Sequence, residues 1–150
     1  MRINKIKYKP DQLEIHYEET AGKNTKEIVF RSSEKPHPDF DLSLARLIPD
    51  VYDILQLDRA WRIGAMSIRG ISWSQHEDTG IEGAVITALV PLETANGPLV
   101  INTPHLPFEQ YSESGESPTM DEKAKNHMED VRTEAEAYVG GKRAQLELAL

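Results

Sequence analysis

The chain has 150 residues, of which 39% are hydrophobic and 28% are charged, and its formal net charge is −8. This length and balance predict one globular domain, and the absence of cysteine excludes disulfides, thiolate catalysis and Cys-ligated zinc. Because affinity for a phosphate backbone depends on positive charge, the acidic average argues against a general DNA-coating protein. A local basic face is still compatible with that average.

The longest apolar run, residues 83–92, is about half of the ~20 residues that a transmembrane helix needs. The N-terminal segment lacks the apolar central region of a signal peptide. We therefore expect a protein of the host-cell cytoplasm without a membrane partner.

The N-terminal part predicts three strands joined by tight turns. In residues 13–18 apolar and polar side chains alternate with the period of a half-buried strand. Pro10 presets the backbone of a turn at 9–12, and residues 21–24 form a second turn before the third strand at 26–32.

A helix is predicted from Asp39 to about residue 57, because apolar residues recur there at helical spacing. These residues are Phe40, Leu44, Leu47, Ile48, Val51 and Leu55. Pro49 lies inside the pattern, and an interior proline removes a backbone hydrogen bond and clashes one turn back. Two alternatives follow: a kink at Pro49, or a break with Pro49 opening a second short helix.

Residues 61–74 and 81–92 predict two long strands. Ile68 and Ile71 cannot share one face of a regular strand, so we expect a bulge, for which Gly70 is well suited. The second run is apolar on both faces, which predicts a central strand. Residues 98–107 add a short sixth strand that ends at prolines.

The C-terminal part predicts a helix with a narrow apolar stripe, formed by Ala124, Met128, Val131, Ala135 and Tyr138. The expected cap is Ser117 or Thr119, with Pro118 in the first turn, Thr119 and Glu122 as a capping box, and Gly140-Gly141 as the stop. The tail leucines are expected to dock on the body or on a second subunit. They are Leu146, Leu148 and Leu150.

These elements predict an α+β fold with the order βββαβββα: a single curved, mainly antiparallel sheet of five to six strands plus a C-terminal amphipathic helix. Part of this order matches the five-stranded barrel of many oligonucleotide-binding proteins, so that barrel is one alternative. The expected organisation is an α+β core at 1–111, a polar linker at 112–117, and the helix and tail at 118–150, packed on the core or on a partner subunit.

Residues 59–74 combine arginines and tryptophans without an acidic residue. Arginines contact phosphates and aromatic rings stack on bases, which is how sequence-tolerant binding of single strands is built. The sequence therefore predicts a nucleic-acid or ligand site formed by Arg59, Trp61, Arg62, Arg69 and Trp73, to which the first hairpin adds Lys5, Lys7, Tyr8 and Lys9. The alternative is that both tryptophans belong to the core and the arginines pair with acids.

Two further segments carry chemically active groups. His76, Glu77 and Asp78 have metal-ligating side chains, but neighbouring strand residues point opposite ways and no second histidine recurs at ligand spacing, so we predict a solvated turn and no metal. The Asp-Thr-Gly triplet there resembles half of an aspartic-protease site, for which a dimer would have to supply the second aspartate. His105, between two prolines, is expected to contact a ligand or to fill its loop.

No nucleophile elbow, phosphate-binding glycine loop or dinucleotide fingerprint occurs in the sequence. We therefore expect a protein that is not an enzyme and has no cofactor.

Three segments, "RGISWS", "GAVITALVPLETANGPLVINTPHLPFEQYSE" and "EAEAYVGGKRAQLEL", together resemble an uncharacterised family of small proteins from tailed bacteriophages and prophages. The similarity runs from about the first hairpin to "GGKRAQ". It implies a phage accessory protein of the kind encoded near replication and recombination functions, and it carries over no functional residue.

Three hypotheses of function follow. The first is a non-catalytic phage accessory protein that binds single-stranded nucleic acid, favoured by the element order and by the Arg/Trp segment. The second is an anti-defence protein that sequesters a small nucleotide signal or inhibits a host protein, favoured by small size, acidity and the lack of catalytic motifs. The third is a structural or assembly component, with phage proteins or further copies of itself as partners, favoured by the leucine-rich tail.

Overall fold

The computed structural model describes residues 1–61, 65–111 and 117–144. Its elements, in chain order, are β1 (Arg2–Tyr8), β2 (Leu13–Ala21), β3 (Asn24–Ser32), α1 (Pro38–Ala45), α2 (Ile48–Leu55), β4 (Ser67–Gln75), β5 (Glu82–Val90), β6 (Leu99–Asn102), β7 (Leu106–Pro107) and α3 (Glu122–Val139). The α+β class predicted from the sequence is confirmed. The leucines of the tail and most of the predicted linker lie outside the described residues.

The strands form one sheet of seven strands in the order β3-β2-β1-β4-β5-β6, with β7 pairing β5 beside β6. This exceeds the predicted five to six strands, because the predicted sixth strand at 98–107 is divided into β6 and β7. Every pair is antiparallel, as expected. β5 has partners on both of its sides, which confirms the predicted central strand. The sheet is open, since no pairing of described residues joins β3 to β6, and the barrel is therefore not confirmed.

The predicted turns and the bulge are present. Lys9 N donates a hydrogen bond to Gln12 O at 2.9 Å, which closes the turn after β1. Gly22 adopts a positive φ of +63° in the turn between β2 and β3, a conformation that favours glycine. In β4 the register shifts between Ile68 and Gly70, which confirms the bulge.

The predicted long helix breaks into α1 and α2, the second of the two alternatives. Pro49 lies in the first turn of α2, where its missing N–H costs no helical hydrogen bond. Gln56, at a φ of 55°, ends α2.

At α3 the predicted caps are wrong, because the Asp121 side chain accepts a hydrogen bond from Ala124 N at 2.7 Å and is the cap. Pro118 therefore precedes the helix and is not in its first turn. The helix ends at Gly140 as expected, and all five residues of its predicted stripe are buried.

The core lies between the sheet and the helices. Ile6, Ile71 and Ile86 are direct neighbours across β1, β4 and β5, and each is at most 2% exposed. α3 packs against β1 and α1 on this side. No described helix is long and apolar enough to span a bilayer.

Strand alternation places a second set of side chains on the opposite side of the sheet, which we call the open face. Its central members, from β1, β4 and β5, are Lys5, Lys7, Gly70, Ser72, Val85, Thr87 and Leu89. None of the described helices packs on this side. Among the described residues, the open face is therefore a sheet surface that no helix covers.

Candidate functional site

A groove of about 650 Å³ lies on the open face where β1, β4 and β5 run side by side. Gly70 forms its floor, with Lys7 and Thr87 as its neighbours on the adjacent strands. A Cβ at Gly70 would come within 3.3 Å of both Ile6 O and Thr87 Cβ. The glycine at the bulge therefore lets the strands approach closely and leaves the floor of the groove without a side chain.

The groove is basic in a chain whose net charge is −8. No carboxylate is among its described lining residues, which include four cationic side chains: Lys5, Lys7, Lys9 and Arg69. Hydroxyl groups come from Ser67, Ser72 and Thr87, and apolar walls from Leu89, Pro91 and Pro98. Cations with hydroxyl donors are the groups that proteins use to hold phosphates.

Arg69 is held at one end of the groove by Tyr8. Its guanidinium carbon lies 5.1 Å from the centroid of the Tyr8 ring, within cation–π range. The Tyr8 hydroxyl donates to Asp41 Oδ1 at 2.8 Å, and the ring also contacts Phe40 edge-on at 5.5 Å. Burial, with the Asp41 hydrogen bond adding to it, raises the pKa of Tyr8 to about 12. Tyr8 thus positions Arg69 and does not present a free ring for stacking.

A buried carboxylate adjoins the groove. Glu14, only 5% exposed although it lies on the open face, makes 2.7 Å contacts with His16 Nε2 and Arg31 Nε, and Lys7 Nζ is 3.9 Å away. The hydrogen bonds with His16 and Arg31 outweigh burial and lower the pKa of Glu14 to about 2. Glu14 therefore stays ionised at neutral pH and draws three basic side chains together beside the groove.

We expect Glu14→Gln to lower the free energy of unfolding by about 2 kcal/mol at pH 7, after allowance for solvent screening of partners at the surface. Because the folded-state pKa of Glu14 is depressed, its contribution is complete above about pH 4.5 and is lost as pH falls toward about 2. Urea unfolding at several pH values measures both effects. A difference between wild type and variant that stayed constant down to pH 2 would contradict this account.

The structure brings together only part of the site predicted from the sequence. Lys5, Lys7, Tyr8 and Lys9 from the first hairpin meet Arg69 in the groove. Trp73, by contrast, is 5% exposed and belongs to the core, with the Arg132 guanidinium 4.5 Å from its ring. Its predicted role as a stacking residue is therefore wrong, and the alternative of a core tryptophan is confirmed for Trp73.

Arg59 and Trp61, which belong to the described part of the segment after α2, do not line the groove either. Arg59 Nη2 pairs with Asp53 Oδ1 at 2.6 Å, and the Trp61 carbonyl accepts a hydrogen bond from the Tyr52 hydroxyl. Trp61 is 36% exposed but is not among the described residues that line the groove. Arg62 lies outside the described residues.

His105 lines a second pocket, of about 450 Å³, together with Ser74, Gln75, His76, Glu77, Asp78 and Tyr111. His105 Nε2 is 3.1 Å from Ser74 Oγ. The predicted solvated turn is confirmed, because Gly80 N donates to His76 O at 2.8 Å and Gly80 has a φ of +71°. Within the described parts of the chain no three His, Asp or Glu side chains are arranged to hold a metal ion.

Sequence reasoning missed the polar and apolar residues that line the groove beside the cations. Ser72 and Thr87 belong to it through their registers with Lys5 and Gly70, and that strand pairing is a long-range property. Tyr111 was missed because it lies after the last predicted strand, directly before the predicted polar linker at 112–117. The sequence pattern that could have identified Thr87 and Leu89 is the alternation in β5, which places both on the face opposite Ile86.

Comparison with protein-family models, curated proteins and solved structures finds no match to this chain.

Proposed function

We propose that the protein binds single-stranded nucleic acid, without catalysis, along the basic groove of the open face. The observation that carries this proposal is the convergence of four cationic side chains and no carboxylate in one groove of an acidic chain. A general electrostatic attraction is absent at a net charge of −8, so a phosphate backbone has to be held locally. The groove offers cations and hydroxyls within one sheet surface, which supports contacts with the phosphate backbone of a single strand.

A titration of a labelled 15-nucleotide strand tests the proposal. We expect binding at about 20 mM salt and a slope of log affinity against log salt of about −2 to −3, since each neutralised phosphate of a single strand contributes about −0.7. Fluorescence anisotropy measures both quantities. Absence of binding at the lowest salt would refute the proposal.

A second candidate, sequestration of a small nucleotide, is favoured by the size of the groove. Its volume of about 650 Å³ lies within the range of small-molecule pockets, roughly 300–1,000 Å³. The two candidates differ in how affinity depends on the length of the oligonucleotide. If the protein binds single-stranded nucleic acid, affinity rises with that length. A mononucleotide that bound as tightly as the 15-nucleotide strand would favour the nucleotide signal and an anti-defence role.

The biological setting proposed for this activity is that of a phage accessory protein in replication or recombination. Its support is the resemblance of the sequence to a family of tailed-phage proteins, together with a surface suited to single strands. The structural or assembly alternative drew on the leucine-rich tail, whose leucines lie outside the described residues.

A further inference from the structure

The second pocket lies on the same face of the sheet as the basic groove. Ser74 follows Ser72 by two residues in β4, so both side chains point to the open face. The partner of Ser74 on β5 is Gly83, and a Cβ there would come within 2.6 Å of His105 Nε2. The His105 ring therefore rests on the open face, and the pocket continues the groove along β4.

The two cavities offer different chemistry. The described lining of the groove has four cationic side chains and one aromatic ring, that of Tyr8. The Tyr8 ring already contacts the Arg69 guanidinium and the Phe40 ring. In the second pocket the rings of His76 and Tyr111 lie 4.7 Å apart at 38°, and Tyr111 is 36% exposed. Its described lining contains no Lys or Arg, and it includes Glu77 and Asp78. Those carboxylates disfavour a phosphate and favour a hydrogen-bond donor.

We propose that the second pocket is a base-binding subsite, in which Tyr111 stacks on a base whose exocyclic amino group donates to Glu77 or Asp78. This inference rests on the proposed function, since it assigns the phosphates of the same strand to the basic groove. Aromatic stacking serves every base, whereas a carboxylate acceptor favours cytosine or adenine over thymine. The distance along β4 from Gly70 to Ser74 is about 13 Å, so the two subsites act together only on an oligonucleotide.

The test compares Tyr111→Ala with wild type on a 15-nucleotide cytosine strand and on an abasic strand of equal length. We expect the variant to bind the cytosine strand about 10-fold more weakly, as loss of one stacked base implies. Affinity for the abasic strand, which has phosphates and no bases, stays unchanged. Tyr111→Phe keeps the ring and restores the affinity, and wild type prefers cytosine to thymine strands.

Trp61→Ala is the matched control, because Trp61 has the same 36% exposure as Tyr111 and lies outside both cavities. It leaves binding of both strands unchanged. If wild type binds both strands and Tyr111→Ala changes neither affinity, or lowers both equally, the subsite is refuted while the proposed function stands. If wild type binds no strand, the proposed function falls and the subsite with it.

Discussion

We expect the joint replacement of Lys5, Lys7 and Arg69 by Gln to lower the affinity for a 15-nucleotide single strand about 100-fold at about 50 mM salt. We also expect the slope of log affinity against log salt concentration to become less negative by about 2, because three phosphate contacts that contribute about 0.7 each are lost. These residues come from two neighbouring β-strands, β1 and β4, and all three line the groove. A nucleic-acid strand that lies along the groove therefore meets all three. Fluorescence anisotropy over a salt series measures both effects.

The control for this variant lowers the net charge by the same amount at positions outside the groove. Lys23, Lys26 and Lys123 are exposed residues that do not line the groove, and their joint replacement by Gln also removes three positive charges. We expect this control to bind within about 2-fold of wild type, since exposed charges that lie farther from the bound strand than the Debye length, roughly 14 Å at this salt concentration, are largely screened. Equal losses in the two variants would show that net charge, and not the groove, governs binding.

The sequence predicted that cationic groups from two segments form one site, but it did not supply the strand pairing that brings them together. Lys5 and Lys7 lie in β1, whereas Arg69 lies in β4 after two further strands and two helices. Strand alternation gives the face of each side chain, but it does not say which strand pairs with which. The antiparallel pairing of β1 with β4 is what creates the groove.

The position of Trp73 shows why the site predicted from residues 59–74 was only partly correct. In a regular strand Arg69 and Trp73, four residues apart, would share a face. The bulge between Ile68 and Gly70 shifts this alternation, so Ile68, Ile71 and Trp73 all point into the core. The sequence predicted the bulge, but the side to which each residue turns follows from the pairing with β5.

The cap of α3 was mispredicted for a different reason, which is local. Ser117, Thr119 and Asp121 are all good N-cap residues within one short stretch, so propensity alone does not choose among them. Met120 is 3% exposed, and its N–H donates to Pro107 O at 3.0 Å. This contact fixes the chain before the helix in a non-helical conformation, and the helix begins after Asp121.

The structure also identifies Arg132 as a residue that bonds α3 to two strands of the sheet. Its guanidinium makes two hydrogen bonds to Glu82, at 2.6 and 2.7 Å, and a third to Ile3 O at 3.0 Å, while lying over the Trp73 ring. One side chain thus links α3 with β5 and β1. Burial alone would raise the pKa of Glu82, but the hydrogen bonds from Arg132 and Arg2 outweigh it and lower that pKa.

We expect Arg132→Met to lower the free energy of unfolding by about 3 kcal/mol, because it leaves a partly buried carboxylate with one weaker partner and removes the stacked cation from Trp73. Arg132→Lys keeps the charge but loses the paired hydrogen bonds, and we expect an intermediate loss. Adding Glu82→Gln to Arg132→Met recovers part of the loss, since no carboxylate then needs a partner.

Urea unfolding followed by tryptophan fluorescence measures these stabilities. In a Trp61→Phe background Trp73 is the remaining tryptophan of the two in the chain, so the signal reports directly on the interface of α3 with the sheet. Loss of Arg132 then exposes Trp73 to aqueous quenchers before global unfolding, because the guanidinium covers its ring. An ordinary surface substitution changes the free energy of unfolding by about 0.5 kcal/mol or less. If Arg132→Met differs from its parent by no more than that, apolar packing of the α3 stripe alone holds the helix.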